Sequence, residues 1–374
     1  MKIGIITLSA SDNCGSILQA YALQKIIENR YQHTVEVINF SSRKSRKMYQ
    51  FQLKTLVRMF LKGYRNIFQI CRIINMQSIH RKYYETFRNK NLNLTKKTYL
   101  SNKSLENENF DYDIVICGSD QVWNITMYDF DKAFYLPWVK NAKKAAYAPS
   151  FGSLDVNKYA NVISRYLNDF YSVSCRDDTN SNKLSEIIDK EVVFCADPTL
   201  LIEERYWSEF AGNAEVKQDY IFYYSWSYNS GKLNTFVCEQ ARKLNLPVYV
   251  IDARKWSNAN IYNYDFILPE KSSPGVFLNL MKHAKLVFVE SFHGVIFSFI
   301  FKRRFWLLDA KDSEPLDPRL NCILIQLGVR ERLLRPSSFS LVDIQKEIKY
   351  SGIDDSLLKK TVSDSFCYLD NMLG

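Results

Sequence analysis

The sequence predicts an α/β protein of two consecutive domains, the first carrying a basic helical insertion. Three observations lead there. Short apolar stretches alternate with stretches of helical periodicity along most of the chain, as in parallel strands joined by crossover helices. The alternation breaks after "EVVFCADPTLL" and restarts at Tyr220, which places a first domain at 1–197 and a second at 198–374. Residues 41 to 103 hold 16 Lys and Arg against the single acid Glu85, a net +15 in a chain whose total is +10. The rest of the protein is therefore mildly acidic, and one segment makes it basic.

Taken in order, "KIGIITL" reads as a buried parallel strand, "SILQAYALQKIIEN" as a helix and "TVEVINF" as a second strand, a βαβ unit at the start of the chain. The basic segment follows. Its apolar residues, among them Phe51, Leu56 and Phe60, recur at helical intervals between Lys and Arg, which predicts one long or two shorter amphipathic helices. "FDYDIVICG", "AAYAPSFG", "DFYSVSCRDD" and "EVVFCADPTLL" continue the strand series, each running into a polar loop. In the second half "YIFYYSW", "PVYVID", "KLVFVE" and "RFWLLD" read as strands. "KLNTFVCEQARKLN", "SSPGVFLNLMKHA" and the end of "SFHGVIFSFIFK" read as helices, the second opened by Ser and Pro.

A chain of 374 residues with 47% hydrophobic and 24% charged content is globular and long enough for two cores. The first residues read as a strand rather than a secretory leader, and no apolar run reaches the roughly 18–20 residues of a membrane span. The nearest, "LVFVESFHGVIFSFIF", is broken by Glu290 and His293. The eight Cys show neither CxxC nor metal-ligand spacing and sit mostly in apolar runs, as reduced core thiols do in the cytoplasm.

In α/β sheets ligands bind beyond the carboxyl ends of strands, so the loops there are the places to search. After the first strand, "SDNCGS" sets Asp12, Asn13 and Gly15 before a helix. A capped turn and an anion site at the helix N-terminus both account for it. No GxGxxG or GxxxxGK[ST] is present. "CGSDQVWN" gathers Ser119, Asp120, Gln121 and Asn124 around Trp123, a set that suits a polyol against an aromatic face or a capped turn with Trp123 in the core. His293 stands apart from His33 and His80, in polar helical surroundings, and from His283, late in an amphipathic helix. It follows a buried strand and opens a very apolar helix, where it can transfer a proton or simply be held within the loop.

Together and in this order, these loops resemble the polysaccharide pyruvyl transferase family. The resemblance rests on "DNCGSILQAYALQ", "CGSDQVWN", "YAPSFG", "ADPTLL" and "SFHGVIFSFIFK" and extends from Lys2 to about Leu334. It implies two Rossmann-like domains in a GT-B-like arrangement with the site between them. It also implies transfer of a pyruvyl group from phosphoenolpyruvate to a pair of glycan hydroxyls, forming a pyruvate ketal in surface or capsular polysaccharide synthesis. His293 is then the catalytic acid/base. Asn13, Gly15, Ser119, Asp120, Gln121, Asn124, Ser150, Arg176, Glu290, Ser291, Gly294 and Arg319 are then the substrate-binding set. Arg176, Arg319 and the helix start near Gly294 are expected to meet the donor's phosphate and carboxylate. Two places depart from the family pattern. Glu290 follows Val289 where many relatives have a Thr before the acid, and Asp177 follows Arg176 where Glu is usual. Arg319 is assigned from "SEPLDPRLNCIL", a loose match to the family's Ser-Arg helix start.

No cofactor and no metal are expected, phosphoenolpyruvate being the donor substrate. The expected partners are that donor, a glycan or lipid-linked oligosaccharide acceptor, and an anionic membrane surface met by residues 41–103; nucleic acid is not expected. The expected location is the cytoplasm, peripheral on the inner membrane face. Two other readings stay open: a GT-B glycosyltransferase using a nucleotide sugar, and a non-catalytic nucleic-acid-binding protein driven by the basic segment.

Overall fold

In the computed structural model the described residues are 1–49, 67–225, 228–251, 264–312 and 314–374. The strands are β1 (Lys2–Ile6), β2 (Thr34–Val37), β3 (Ile114–Asp120), β4 (Lys143–Pro149), β5 (Ser172–Cys175), β6 (Val192–Phe194), β7 (Ile221–Tyr224), β8 (Val248–Val250), β9 (Leu286–Val289), β10 (Phe305–Leu308) and β11 (Leu333–Leu334). The helices of eight or more residues are α1 (Cys14–Tyr31), α2 (Ile67–Asn91), α3 (Ala160–Leu167), α4 (Asp178–Ile188), α5 (Glu204–Ala211), α6 (Gly231–Leu244), α7 (Pro274–His283), α8 (Phe292–Ile300), α9 (Pro318–Gln326) and α10 (Ser356–Leu373).

The strands form two sheets, a six-stranded one in the order β2-β1-β3-β4-β5-β6 and a five-stranded one in the order β11-β10-β9-β7-β8. The named strands pair in parallel throughout. Burial on both sheet faces accounts for strand sequences such as "IVIC" at the start of β3 and "LVFV" in β9, apolar without alternation. Both sheets put their first strand between their second and third, so each reverses direction once, at β1/β3 and at β7/β9. Such a switch point opens a crevice at the carboxyl ends of the two strands.

Register sets where those ends fall. Ile6 pairs with Cys117, Asp120 with Pro149 and Cys175 with Phe194. The residues just beyond, at 119–121, 150–152, 176–177 and 197, therefore line one edge of the first sheet.

α1 is buried almost all round, as a helix packed on two sides must be. Leu23, Ile26 and Ile27 pack on Ile3, Ile5 and Ile116 of the first sheet. Cys14, Ile17 and Leu18 join a core with Trp207, Phe277, Val289 and Phe297 of the second half. Tyr84 of α2 enters the same core, its hydroxyl 3.0 Å from Cys14 Sγ. One apolar core thus runs across both halves.

Two features depart from the sequence reading. The terminal helix α10 lies on the first sheet although 198–374 was expected to form the second domain. Tyr368 Oη donates to Ala146 O at 2.7 Å, and Ala196 N donates to Ser365 Oγ at 2.8 Å. His80, expected in polar surroundings, is buried within α2. Of the basic segment, a short helix at Arg43–Tyr49 and α2 fall within the structure. Residues 50–66, with Lys54 and Arg58, lie outside the described residues.

Candidate active site

Asp197 is the hinge of the site. It follows β6 and caps a short turn, its Oδ1 accepting from Thr199 N at 3.0 Å and Thr199 Oγ1 at 2.7 Å. Its Oδ2 faces inward and meets three groups: Arg176 Nη1 at 2.5 Å, His293 Nε2 at 3.3 Å and Ser119 Oγ at 3.3 Å. Burial opposes the charge of this carboxylate. His293 and Arg176 outweigh that effect and hold its pKa well below the usual carboxylate range.

Arg176 is placed by β5 and is 5% exposed. Besides Asp197 it faces Asp120 at 3.7 Å, and Phe292 of the second half lies under its guanidinium at 4.3 Å. A buried guanidinium between a carboxylate and a ring face is well held. Its Nε and Nη2 are shut off from solvent and have no hydrogen-bond partner among the described residues, Nη2 being the atom that faces Asp120.

Asp120 ends β3 with φ 72, in the left-handed region that Asp tolerates better than most residues. The turn lets Oδ2 accept from Ser16 Oγ at 2.5 Å, while Oδ1 takes the N–H of Gln121 at 2.8 Å. Thr7 Oγ1 donates to Ser119 O at 3.1 Å across the same crevice. The β1/β3 switch point is thereby tied into the Arg176–Asp197 network.

His293 comes from the other half. Ser291 caps α8 by accepting the N–H of Gly294 at 3.0 Å, which sets His293 on the first helical turn, 8% exposed. The ring then lies on the start of α1: a Cβ on Gly15 would fall 2.2 Å from His293 Nδ1. Gly15 is needed for that close approach, and Asn13 secures the same turn by accepting from Ser16 N at 3.3 Å.

The remaining expected residues divide. Gln121 reaches the second half: with its carbonyl oxygen turned to the guanidinium it accepts from Arg319 Nη2 at 3.0 Å. Arg319 is also held by Asp317 through Nε at 3.0 Å and Nη2 at 2.6 Å. Asn124 lies beside Gly152 and accepts from Thr126 N and Oγ1. Ser150 is fully buried, its hydroxyl donating to Asp177 at 2.9 Å and accepting from Gly152 N. It shapes its loop and has no hydroxyl face left for a ligand. Gly294 likewise spends its own N–H on the Ser291 cap. Trp123 stacks on Tyr135 in the core with ring centroids 5.5 Å apart, so its face is closed to a sugar. Glu290 stays within the second half, where it accepts from Tyr223 Oη at 2.5 Å across the β7/β9 switch point. Burial pushes its carboxyl up.

Asp197, Asp177, Ser16 and Phe292 were not singled out as site residues from the sequence. Asp197 was visible only within the family motif "ADPTLL", Asp177 as a departure from a family pattern, and Ser16 and Phe292 as parts of helix starts. Nothing local marks a contact such as Asp197 to His293, which spans 96 positions.

The arrangement offers a histidine whose Nε2 is paired with a buried carboxylate, beside a buried guanidinium. That combination can move a proton next to a bound oxyanion.

The fold has counterparts among solved structures. UDP-GlcNAc 2-epimerase from Methanocaldococcus jannaschii, in complex with UDP-GlcNAc and UDP, is similar at a TM-score of 0.54 with 12% identity, over 98% of this chain and 100% of that one. An S. aureus MnaA–UDP co-structure gives 0.52 with 13% identity, over 99% and 97%. The Neisseria meningitidis UDP-GlcNAc 2-epimerase bound to UDP-GlcNAc gives 0.50 with 12% identity, over the full length of both chains. At these identities the likeness shows the fold alone, two Rossmann-like domains in a GT-B-like arrangement. No curated protein sequence matches the chain. The family model described as polysaccharide pyruvyl transferase matches residues 13–312, a span that contains Ser119, Asp120, Arg176, Asp197 and His293, and the chain belongs to that family.

Proposed function

We propose that this transferase takes the pyruvyl group of phosphoenolpyruvate and closes it onto two hydroxyls of a glycan as a cyclic ketal, in the synthesis of a surface or capsular polysaccharide. The observation that carries the reading is the junction of Arg176, Asp197 and His293 across the two halves.

The chemistry asks for what these residues can give. A proton is added to the methylene carbon of the enol, and positive charge develops on the neighbouring carbon. One glycan hydroxyl attacks that carbon, and the second displaces the phosphate. Of the two hydroxyl protons, one replaces the proton given to carbon and the other leaves with inorganic phosphate. In this reading His293 delivers and recovers the proton. Asp197 fixes the orientation of the ring through Nε2. Arg176 supplies positive charge for the donor's carboxylate or phosphate. Arg319, held by Asp317 and Gln121 at the cleft, adds a second cation.

The test is product analysis. Incubation with labelled phosphoenolpyruvate and a panel of glycans is expected to release inorganic phosphate only when a suitable acceptor is present, with label retained in the glycan. Transfer from a nucleotide sugar, with phosphoenolpyruvate inert across the panel, would overturn the reading and favour a glycosyltransferase.

Peripheral membrane attachment belongs to the same proposal. Among the described residues no helix is long and apolar enough to cross a membrane. Lys44 and Lys47 are exposed on the short helix at the start of the basic segment. Each Lys or Arg near an anionic leaflet contributes about 1 kcal/mol. Co-sedimentation with vesicles containing anionic lipid is therefore expected at low salt, and its loss at high salt. Equal, negligible binding to neutral and anionic vesicles would remove this part of the proposal.

A further inference from the structure

A polar cavity of about 40 Å³ opens at the β1–α1 loop. Asp12 of that loop, Asn39 after β2, Arg46, and Arg81, Glu85 and Arg88 of α2 line it. Three guanidinium groups face two carboxylates. Arg81 is committed to Glu85, its Nε donating at 3.1 Å within one turn of helix. Arg88 senses Asp12 and Glu85 but also the like charges of Arg81 and Arg46. Burial, the largest influence, lowers its pKa. Its Nε is shut off from solvent and has no hydrogen-bond partner among the described residues. A net positive cavity with a buried, unsatisfied guanidinium N–H is incomplete without an acceptor. Its size admits about three waters or one small oxyanion.

The geometry points to a subsite for the phosphate group of a phosphorylated glycan acceptor, an assignment that rests on the acceptor being a glycan. Arginine matches phosphate with paired N–H groups, and Asn39 adds a neutral polar side chain at the rim. The donor's own phosphate is excluded by connectivity. It is bonded through one oxygen to the reacting carbon and must sit at the His293 centre, whereas this cavity shares no lining residue with Arg176, Asp197 and His293. Yet Asp12 and Gly15 are separated by at most about 11 Å of chain. That separation matches one or two sugar rings between a hydroxyl pair at His293 and a phosphate in the cavity.

Calorimetric titration of the full chain tests this without turnover. The probes are a glycosyl 1-phosphate, the corresponding methyl glycoside and inorganic phosphate. The glycosyl phosphate is expected to bind at least about tenfold more tightly than either of the others. Arg88→Gln and, separately, Arg46→Gln are expected to abolish that margin while the KM for phosphoenolpyruvate stays within about twofold. Arg46 lies outside α2 and is half-buried, so its variant keeps the test sound should Arg88→Gln fail to fold. Equal affinity for inorganic phosphate would make this a free-anion site and overturn the assignment. So would unchanged binding in both folded variants, or a loss that falls on the phosphoenolpyruvate KM. Failure of the ketal reading shows instead as no phosphate release from phosphoenolpyruvate, whatever the calorimetry reads.

Discussion

His293→Gln is expected to lower acceptor-dependent phosphate release by about 10²-fold or more and to leave the fold intact, the usual cost of losing a positioned acid/base. The substitution is chosen for its geometry. Gln keeps a polar tip that can still meet Asp197 Oδ2, now 3.3 Å from Nε2, and it fits the slot that Gly15 leaves for the ring. What it removes is the imidazole that carries the proton in the proposed reaction. Turnover at saturating donor and acceptor, with a thermal melt as the folding control, reads the two effects separately. A folded His293→Gln protein with near-normal turnover would reduce the histidine to a structural part of the interface.

The largest effect on stability is expected at Asp197. Asp197→Ala leaves the buried Arg176 without its main counter-charge and is expected to cost about 3–5 kcal/mol, read as a shift of the denaturation midpoint in urea. The pH dependence has a definite sign. The folded-state pKa of Asp197 lies far below its unfolded value, so the native state binds fewer protons there. The stabilisation is complete above about pH 4 to 5 and drains away as the pH falls toward the folded-state value. Over that acid range the wild type is expected to lose stability more steeply than Asp197→Ala. Replacing both partners, Arg176→Met with Asp197→Leu, is expected to recover most of the stability and none of the turnover, because an apolar pair packs where the ion pair stood but binds no anion. If the double variant also regained activity, the network would be scaffolding rather than chemistry. Equal acid sensitivity of wild type and Asp197→Ala would show that the carboxylate carries no such linkage.

The sequence by itself determined the secondary-structure alternation, the two α/β halves, and the strand-end loops that carry the candidate residues. These are local matters. Burial on both sheet faces removes alternation from strands such as "LVFV", and caps such as Asn13 and Ser291 must precede the helices they serve. His293 stood out because a titratable residue at the start of an apolar helix needs a partner, and the residue type says so before any contact is known. Which partner it has was decided only by tertiary structure. Asp197 reads as a turn, Phe292 as a helix start and Ser16 as part of a cap, each role locally sufficient. Parallel register aligns Asp120, Arg176 and Asp197 on one sheet edge, and the packing of α8 on α1 delivers His293 to them. Tertiary packing also withdrew residues that sequence had offered. Ser150, Gly294 and Trp123 carry suitable groups, but buried polar atoms must be satisfied and large rings fill cores, so neighbours claimed them first. The terminal helix α10 went to the first sheet for a similar reason. The chain order places it after the second domain, but the apolar face it buries, Tyr368, Leu369 and Met372, fits against Ala145 and Tyr147 of the first.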